Sequence, residues 1–167
     1  MGPFCHSGAF SSALCSRRDL TGAVRAGTRN WATTLENTMP YVHIVIGLAL
    51  IEYLYFGFAV GRARGRYKVI APATSGDETF ERYFRVQMNT LELLVAFVPS
   101  ILLFAHYFSP YVAAGIGAIF VLGRLLYFAA YVKDPKKREL GFTLTVLPTV
   151  ILLLGGLFGA ARATLYL

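Results

Sequence analysis

Charged residues are scarce in this chain of 167 residues: they make up 15% of it, against about 25% in an ordinary soluble domain. Hydrophobic residues make up 56% and fall in long blocks. This imbalance argues against a soluble globular protein. With 13 Phe and 10 Tyr, the composition also excludes disorder over most of the chain.

Cysteine is nearly absent as well. Cys5 and Cys15 could close at most one small loop, so a disulfide-rich scaffold is excluded. His43 and His106 have no Cys, Asp or Glu at ligand spacing, and we therefore predict no metal site. The sequence also lacks a glycine-rich phosphate loop and a Ser-His-Asp arrangement.

Long apolar runs are the main feature that is present. A bilayer core requires about 20 apolar residues in a helix, and these runs do not alternate as membrane β-strands do. They predict an all-α integral membrane protein, a four-helix bundle formed by residues 39–167. The predicted spans are residues 41–61, 84–108, 111–132 and 141–161.

Residues 1–38 differ in kind, being rich in Arg, Ser, Thr, Gly and Ala without a run of spanning length. Three interpretations compete: an organellar transit peptide, a disordered tail, or a true start at Met39. We favour the start at Met39. The segment is left out of the predicted fold in each case.

Basic residues concentrate in two of the three loops. Loop one (residues 62–82) and loop three (133–140) are rich in Lys and Arg, whereas Ser109-Pro110 between spans two and three carries none. The positive-inside rule therefore places loops one and three in the cytoplasm. The net charge of +7 thus mainly reflects the basic residues that mark the cytoplasmic side of the membrane. Without an aromatic-basic module, we expect no nucleic-acid partner.

Polar residues inside the spans form two stripes. Arg85, Asn89 and Glu92 share one face of the second span, at i, i+4 and i+7. Arg124, Tyr127 and Tyr131 likewise share a face of the third span. Both stripes lie near the cytoplasmic loops. Because ionisable groups inside a membrane are expensive, they are candidates for function.

Two interpretations of these stripes remain open from periodicity alone. Arg85 and Arg124 could pair with Glu92 and Glu52 to hold the bundle together. Alternatively, the stripes line a ligand site. Guanidinium groups suit carboxylates and Glu92 suits an ammonium group, so the ligand would be a small zwitterion with more than one carboxylate.

Three segments carry a resemblance to a known family. They are Phe80-Glu-Arg-Tyr-Phe-Arg-Val-Gln-Met-Asn-Thr-Leu-Glu92, then Gly123-Arg-Leu-Leu-Tyr-Phe-Ala-Ala-Tyr131, then Pro135 with Arg138-Glu-Leu-Gly-Phe142. With four spans and a very short second loop, they resemble the MAPEG family, the membrane-associated proteins of eicosanoid and glutathione metabolism. The resemblance covers about residues 41–161.

The resemblance implies a homotrimer that binds glutathione between neighbouring subunits. Arg138 aligns with the family's arginine that stabilises the glutathione thiolate, and it is the predicted catalytic residue. The other matching positions imply glutathione contacts: Arg64, Arg85, Gln87, Asn89, Glu92, Arg124, Tyr127 and Tyr131.

The function implied is a membrane-embedded glutathione transferase, with glutathione peroxidase activity as a further expectation. Glutathione is the co-substrate, the second substrate is a hydrophobic electrophile or lipid hydroperoxide, and the role would be detoxification. Leu93 stands where the leukotriene-forming branch has Tyr, which argues against that branch's substrate. A bacterial inner membrane is favoured, and the endoplasmic reticulum also fits.

Two alternatives to the transferase remain. A lipid- or glutathione-binding membrane protein of the same fold would bind without turnover. A small transporter or channel subunit would need a polar path across the bilayer. The charges, however, cluster near one membrane face, and the fourth span carries none.

Overall fold

The computed structural model describes residues 39–165, and the regular elements in that range are all helical. The helices are α1 (Met39–Arg66), α2 (Glu78–Tyr107), α3 (Pro110–Lys133) and α4 (Glu139–Leu165). A 3₁₀ turn, Pro135–Arg138, leads directly into α4. The predictions for residues 1–38 lie outside the described residues.

The four helices are long and apolar enough to cross a membrane, which confirms the predicted all-α membrane bundle. Each helix is longer than its apolar run, because local interactions set the helix ends. At the start of α2, the Asp77 carboxylate accepts hydrogen bonds from the backbone N–H groups of Thr79 and Phe80, at 2.9 and 3.0 Å. At the end of α3, Asp134 is extended, as expected for a residue before Pro135.

Contacts between helix ends show which loops share a side. The Arg82 guanidinium, near the start of α2, donates to the carbonyl oxygens of Val132 and Lys133 at the end of α3, at 3.5 and 3.4 Å. Tyr41 and Tyr111, at the starts of α1 and α3, have ring centroids 5.4 Å apart. Loops one and three therefore lie at one end of the bundle, which we call the basic end.

Aromatic stacking joins the helices in the core. Phe97 of α2 stacks on Phe120 of α3, with ring centroids 3.9 Å apart. Nearer the basic end, Phe56 of α1 stacks on Phe128 of α3 at 4.6 Å. A separate buried cluster at that level comprises Phe56, Val86, Tyr127 and Tyr131. The core thus fixes α1, α2 and α3 around the predicted site residues.

Two glycines allow α3 and α4 to approach closely. A Cβ atom on Gly141 of α4 would lie 2.6 Å from both Cα and N of Tyr127 in α3. A Cβ atom on Gly123 of α3 would lie 2.9 Å from the backbone of Leu144. Since backbone atoms cannot rotate away, these positions accept no side chain without a shift of the helices. The contact sets the position of Tyr127.

Replacing Gly141 with alanine is expected to lower the free energy of unfolding by about 1–3 kcal/mol, the usual effect of overpacking. Gly115→Ala is the matched control, because a Cβ on Gly115 meets nothing within 4 Å. That change should be neutral or stabilising by about 0.5–1 kcal/mol, since alanine favours the helix. Unfolding titrations in detergent would measure both. Equal effects would show that α3 and α4 are not in tight contact here.

Candidate functional site

A pocket of ≈ 430 Å³ opens at the basic end of the bundle. It lies where α2, α3 and the 3₁₀ turn leading into α4 come together. We call it the α4 pocket. Its lining residues are Asn89, Tyr127, Arg138, Glu139 and Phe142.

One hydrogen bond joins the two polar stripes inside this pocket. The Asn89 side-chain amide in α2 donates to the Tyr127 hydroxyl in α3, at 2.8 Å. Tyr127 is 1% exposed, so packing holds its ring in place. The Tyr127 hydroxyl hydrogen remains available to an acceptor, because the bond to Asn89 uses only a lone pair. The stripes therefore present an amide and a phenol side by side.

Arg138 supplies the cation of the pocket. The 3₁₀ turn that carries it is capped by Asp134, whose carboxylate accepts from the backbone N–H of Lys136 at 3.0 Å. The Arg138 guanidinium carbon lies 5.6 Å from the centroid of the Tyr131 ring, within range of a cation–π interaction. Neither Lys136 nor Lys137 lines the pocket. Of the three adjacent cations, Arg138 is thus the one directed to the site.

Arg124 lies beneath Tyr127 and does not line the α4 pocket. It is 0% exposed, and its guanidinium donates to the Thr90 hydroxyl at 2.5 Å. The guanidinium carbon also sits 4.5 Å from the centroid of the Tyr127 ring. Its Nε and Nη1 atoms have no hydrogen-bond partner among the described residues. Arg124 therefore supports the ring that forms the pocket wall.

Glu52 of α1 is the acidic residue that interacts electrostatically with Arg124. It is 6% exposed, and both of its carboxylate oxygens lack a hydrogen-bond partner in the described part of the chain. A negative charge on Glu52 would be attracted to the Arg124 guanidinium, whereas burial disfavours that charge. The described residues contain no direct ion pair between them, nor one between Arg85 and Glu92. The ion pairs that were expected to hold the bundle together, Arg85 with Glu92 and Arg124 with Glu52, are thus not direct contacts.

The other predicted site residues lie outside the α4 pocket. Arg85 and Glu92 are exposed on the outer surface of α2. Gln87 points to α1, where its amide nitrogen lies 2.9 Å from a Cβ built on Gly57. Arg64 donates to carbonyl oxygens of loop one and lies over the Phe80 ring, at 4.7 Å from its centroid. A single chain therefore brings Asn89, Tyr127 and Arg138 together, and the Tyr131 ring contacts Arg138 and Tyr127.

Sequence reasoning missed two lining residues, Glu139 and Phe142. Both belong to the run that follows Arg138, so the signal was present in the segment carrying the resemblance. Their role depends on α4 starting directly after the 3₁₀ turn, which places one helical turn of side chains beside Arg138. A sequence pattern does not reveal that junction.

Comparison with known families decides the membership of this chain. The profile of the MAPEG family matches residues 42–158. The chain belongs to the MAPEG family. The match reaches into all four helices and includes every residue that lines the α4 pocket.

Individual MAPEG relatives agree with the profile. Microsomal glutathione S-transferase 2 of Homo sapiens is 37% identical over 118 residues, covering 71% of this chain and 80% of that protein. Leukotriene C4 synthase of Cavia porcellus is 32% identical over 126 residues, covering 71% and 84%. An uncharacterized protein of Synechocystis sp. is 47% identical over 114 residues, covering 68% and 83%. This MAPEG chain is thus similar to glutathione-utilising membrane enzymes.

Proposed function

We propose that this MAPEG protein is a membrane-embedded glutathione transferase. It activates the glutathione thiolate for attack on hydrophobic electrophiles that arrive from the lipid. The observation that supports it best is the α4 pocket, which Arg138 lines together with the hydrogen-bonded Asn89 amide and Tyr127 hydroxyl. The names of its MAPEG relatives point to the same chemistry.

The proposed role of Arg138 is to stabilise the thiolate. A free thiol has a pKa of about 8.5, and a nearby guanidinium lowers that pKa because it favours the charged form. In transfer, the thiolate sulfur bonds to the electrophilic carbon, and the leaving group departs with its bonding electrons. With a hydroperoxide, the sulfur attacks oxygen, and a second glutathione completes the reduction to alcohol, water and glutathione disulfide.

We further propose that the ligand binds between subunits of a homotrimer. Arg85 and Glu92 are exposed on a membrane-spanning helix, and charged groups facing lipid are unfavourable. A neighbouring subunit and a zwitterionic ligand would both cover them. The Arg85 guanidinium would then bind a carboxylate of glutathione, and the Glu92 carboxylate would bind its ammonium group. Arg64, Gln87 and Arg124 also remain predicted contacts.

Rapid mixing of the detergent-purified protein with glutathione tests the function, with the ultraviolet absorbance of the thiolate as the signal. The expected result is a thiolate at neutral pH, where the thiol of free glutathione is mostly protonated. Glutathione binding by calorimetry without a thiolate would contradict the transferase and favour a binding protein of this fold. Neither binding nor thiolate would refute glutathione as the ligand.

Replacing Tyr127 with phenylalanine should raise the Kd of glutathione about fivefold to tenfold, because the Asn89 amide loses its acceptor and the pocket loses a hydroxyl. The ring and its packing remain, so the free energy of unfolding should fall by only about 1 kcal/mol, the value of the lost hydrogen bond. Tyr111→Phe, at the opposite end of the bundle, is the matched control. Calorimetric titration would measure both variants. An unchanged Kd in Tyr127→Phe would remove the phenol from the site.

A further inference from the structure

A second pocket of ≈ 300 Å³ lies at the basic end, between α1, α2 and α3. We call it the α1 pocket. It shares no lining residue with the α4 pocket. Apart from two alanines its side chains are basic or aromatic, and its lining contains no acidic residue. The six that matter here are Tyr55, Arg62, Arg66, Tyr67, Tyr83 and Phe128.

The two arginines of the α1 pocket differ from the other arginines nearby. Arg64 donates to two carbonyl oxygens of loop one, and Arg82 pairs with Glu78 at 2.6 Å. Arg62 and Arg66 are exposed, and neither has a hydrogen-bond or ion-pair partner among the described residues. Because they are four residues apart in α1, both guanidinium groups project from one face. They are therefore available to an anion in this pocket.

Aromatic rings form the floor of the α1 pocket. Phe128 is held by stacking on Phe56, and its ring centroid lies 6.0 Å from that of Tyr55 and 5.8 Å from that of Tyr83. Tyrosines of this kind are typical of the membrane–water interface, where the ring is apolar and the hydroxyl is wet. The pocket thus combines an apolar floor with a cationic rim formed by Arg62 and Arg66.

The position of the pocket along α1 matches the headgroup layer of a bilayer. α1 has 28 residues and is about 42 Å long, whereas a hydrocarbon core is about 30 Å thick. Arg62 follows directly after the apolar run. On the same helical face, Ile51 and Phe58 are 64% and 68% exposed. A continuous apolar strip therefore leads from the pocket toward the membrane interior.

From this arrangement we propose that the α1 pocket binds the phosphate headgroup of an anionic phospholipid. Arg62 and Arg66 hold the phosphate, the tyrosine hydroxyls contact the polar headgroup, and an acyl chain lies along Ile51 and Phe58. Basic pockets between membrane helices bind lipid headgroups in this way. Glutathione does not fit the same pocket, since the lining offers no carboxylate for its ammonium group. The proposal is independent of transferase activity.

The test titrates short-chain phosphatidylglycerol into the full-length protein in a neutral detergent, with binding followed by calorimetry. Arg62→Gln/Arg66→Gln should raise the Kd about 30-fold, the combined effect of two basic side chains close to an anionic headgroup. Lys68→Gln/Lys136→Gln is the matched control, because it removes two exposed positive charges from the same end of the bundle. It should change the Kd less than about twofold.

Three results would overturn the proposal. If both double variants weaken binding equally, the attraction is a general effect of net charge. If sn-glycerol 3-phosphate binds as tightly as the lipid and with the same dependence on Arg62 and Arg66, the ligand is a soluble phosphate. If glutathione displaces the lipid competitively, the pocket belongs to the glutathione site.

A further variant tests the pocket itself without changing any charge. Ala59 lines the α1 pocket, and Ala59→Trp should fill it. We expect the affinity for phosphatidylglycerol to fall at least about tenfold while helix content and glutathione binding stay at the wild-type level. If lipid binding survives in a folded Ala59→Trp protein, the headgroup binds elsewhere.

Discussion

Arg138→Ala is expected to lower turnover about 20-fold to 30-fold at neutral pH, while the Kd of glutathione changes less than about threefold. The guanidinium is the cation that lines the α4 pocket, and its removal would return the pKa of the bound thiol toward its ordinary value of about 8.5. The thiolate fraction at pH 7 then falls to about 3%, roughly a 30-fold loss relative to a fully ionised thiol. Steady-state rates and the thiolate absorbance would measure the two effects separately.

The pH dependence of the Arg138→Ala variant gives a sharper signature. As the pH rises through about 8.5, the thiol ionises without help, so the deficit relative to wild type should shrink. Lys137→Ala is the matched control: Lys137 is adjacent and cationic but does not line the pocket. It should retain near-normal turnover. A deficit that stays constant with pH, or an equal loss in Lys137→Ala, would remove Arg138 from thiolate stabilisation.

Arg124→Met is expected to lower the free energy of unfolding by about 1–3 kcal/mol, the usual cost of losing a buried hydrogen bond to a charged group. The Arg124 guanidinium is fully buried and donates to Thr90. Its removal would take away that hydrogen bond and the cation whose charge acts on the buried Glu52 carboxyl. Methionine fills much of the same volume, so the loss would arise from charge more than from a cavity. Unfolding titrations in detergent would give the free energy.

A double-mutant cycle tests the cause of that loss. Glu52→Leu/Arg124→Met should recover most of the stability, because an apolar pair can replace a buried charge pair at little cost. Additive losses would show that the two charges act independently. Glutathione binding of the double variant separates the predicted roles of Arg124: unchanged affinity makes it a structural residue, and lost affinity in a folded protein makes it a ligand contact.

The architecture was predictable because length and hydrophobicity alone determine it. Four apolar runs, each long enough to cross a bilayer, permit few other folds. The break after α3 was also predictable, since Pro135 cannot continue the helix. Arg138 could be singled out only through the family resemblance, because Lys136 and Lys137 offer the same charge in the same loop.

The orientation of the polar faces could not be predicted from the sequence. Helical periodicity places Arg124 and Tyr127 on one face of α3, but it does not say that Arg124 lies beneath Tyr127 and away from the pocket. The rotation of α3, which decides which of its polar residues line the pocket, depends on the α3–α4 contact at Gly123 and Gly141. Similarly, the bonds of Arg64 to loop-one carbonyl oxygens depend on how that loop folds back. These are tertiary effects that local pattern does not encode.

The contact of Arg82 with the last carbonyl groups of α3 has a consequence for how this protein tolerates sequence change. It ties α2, which carries Asn89, to the helix end from which the Arg138 turn begins. The two sides of the α4 pocket are thereby joined independently of segment 67–76, which links α1 to α2. Changes of length in that segment are therefore compatible with an unchanged α4 pocket, but they would displace the loop-one carbonyl groups that hold Arg64.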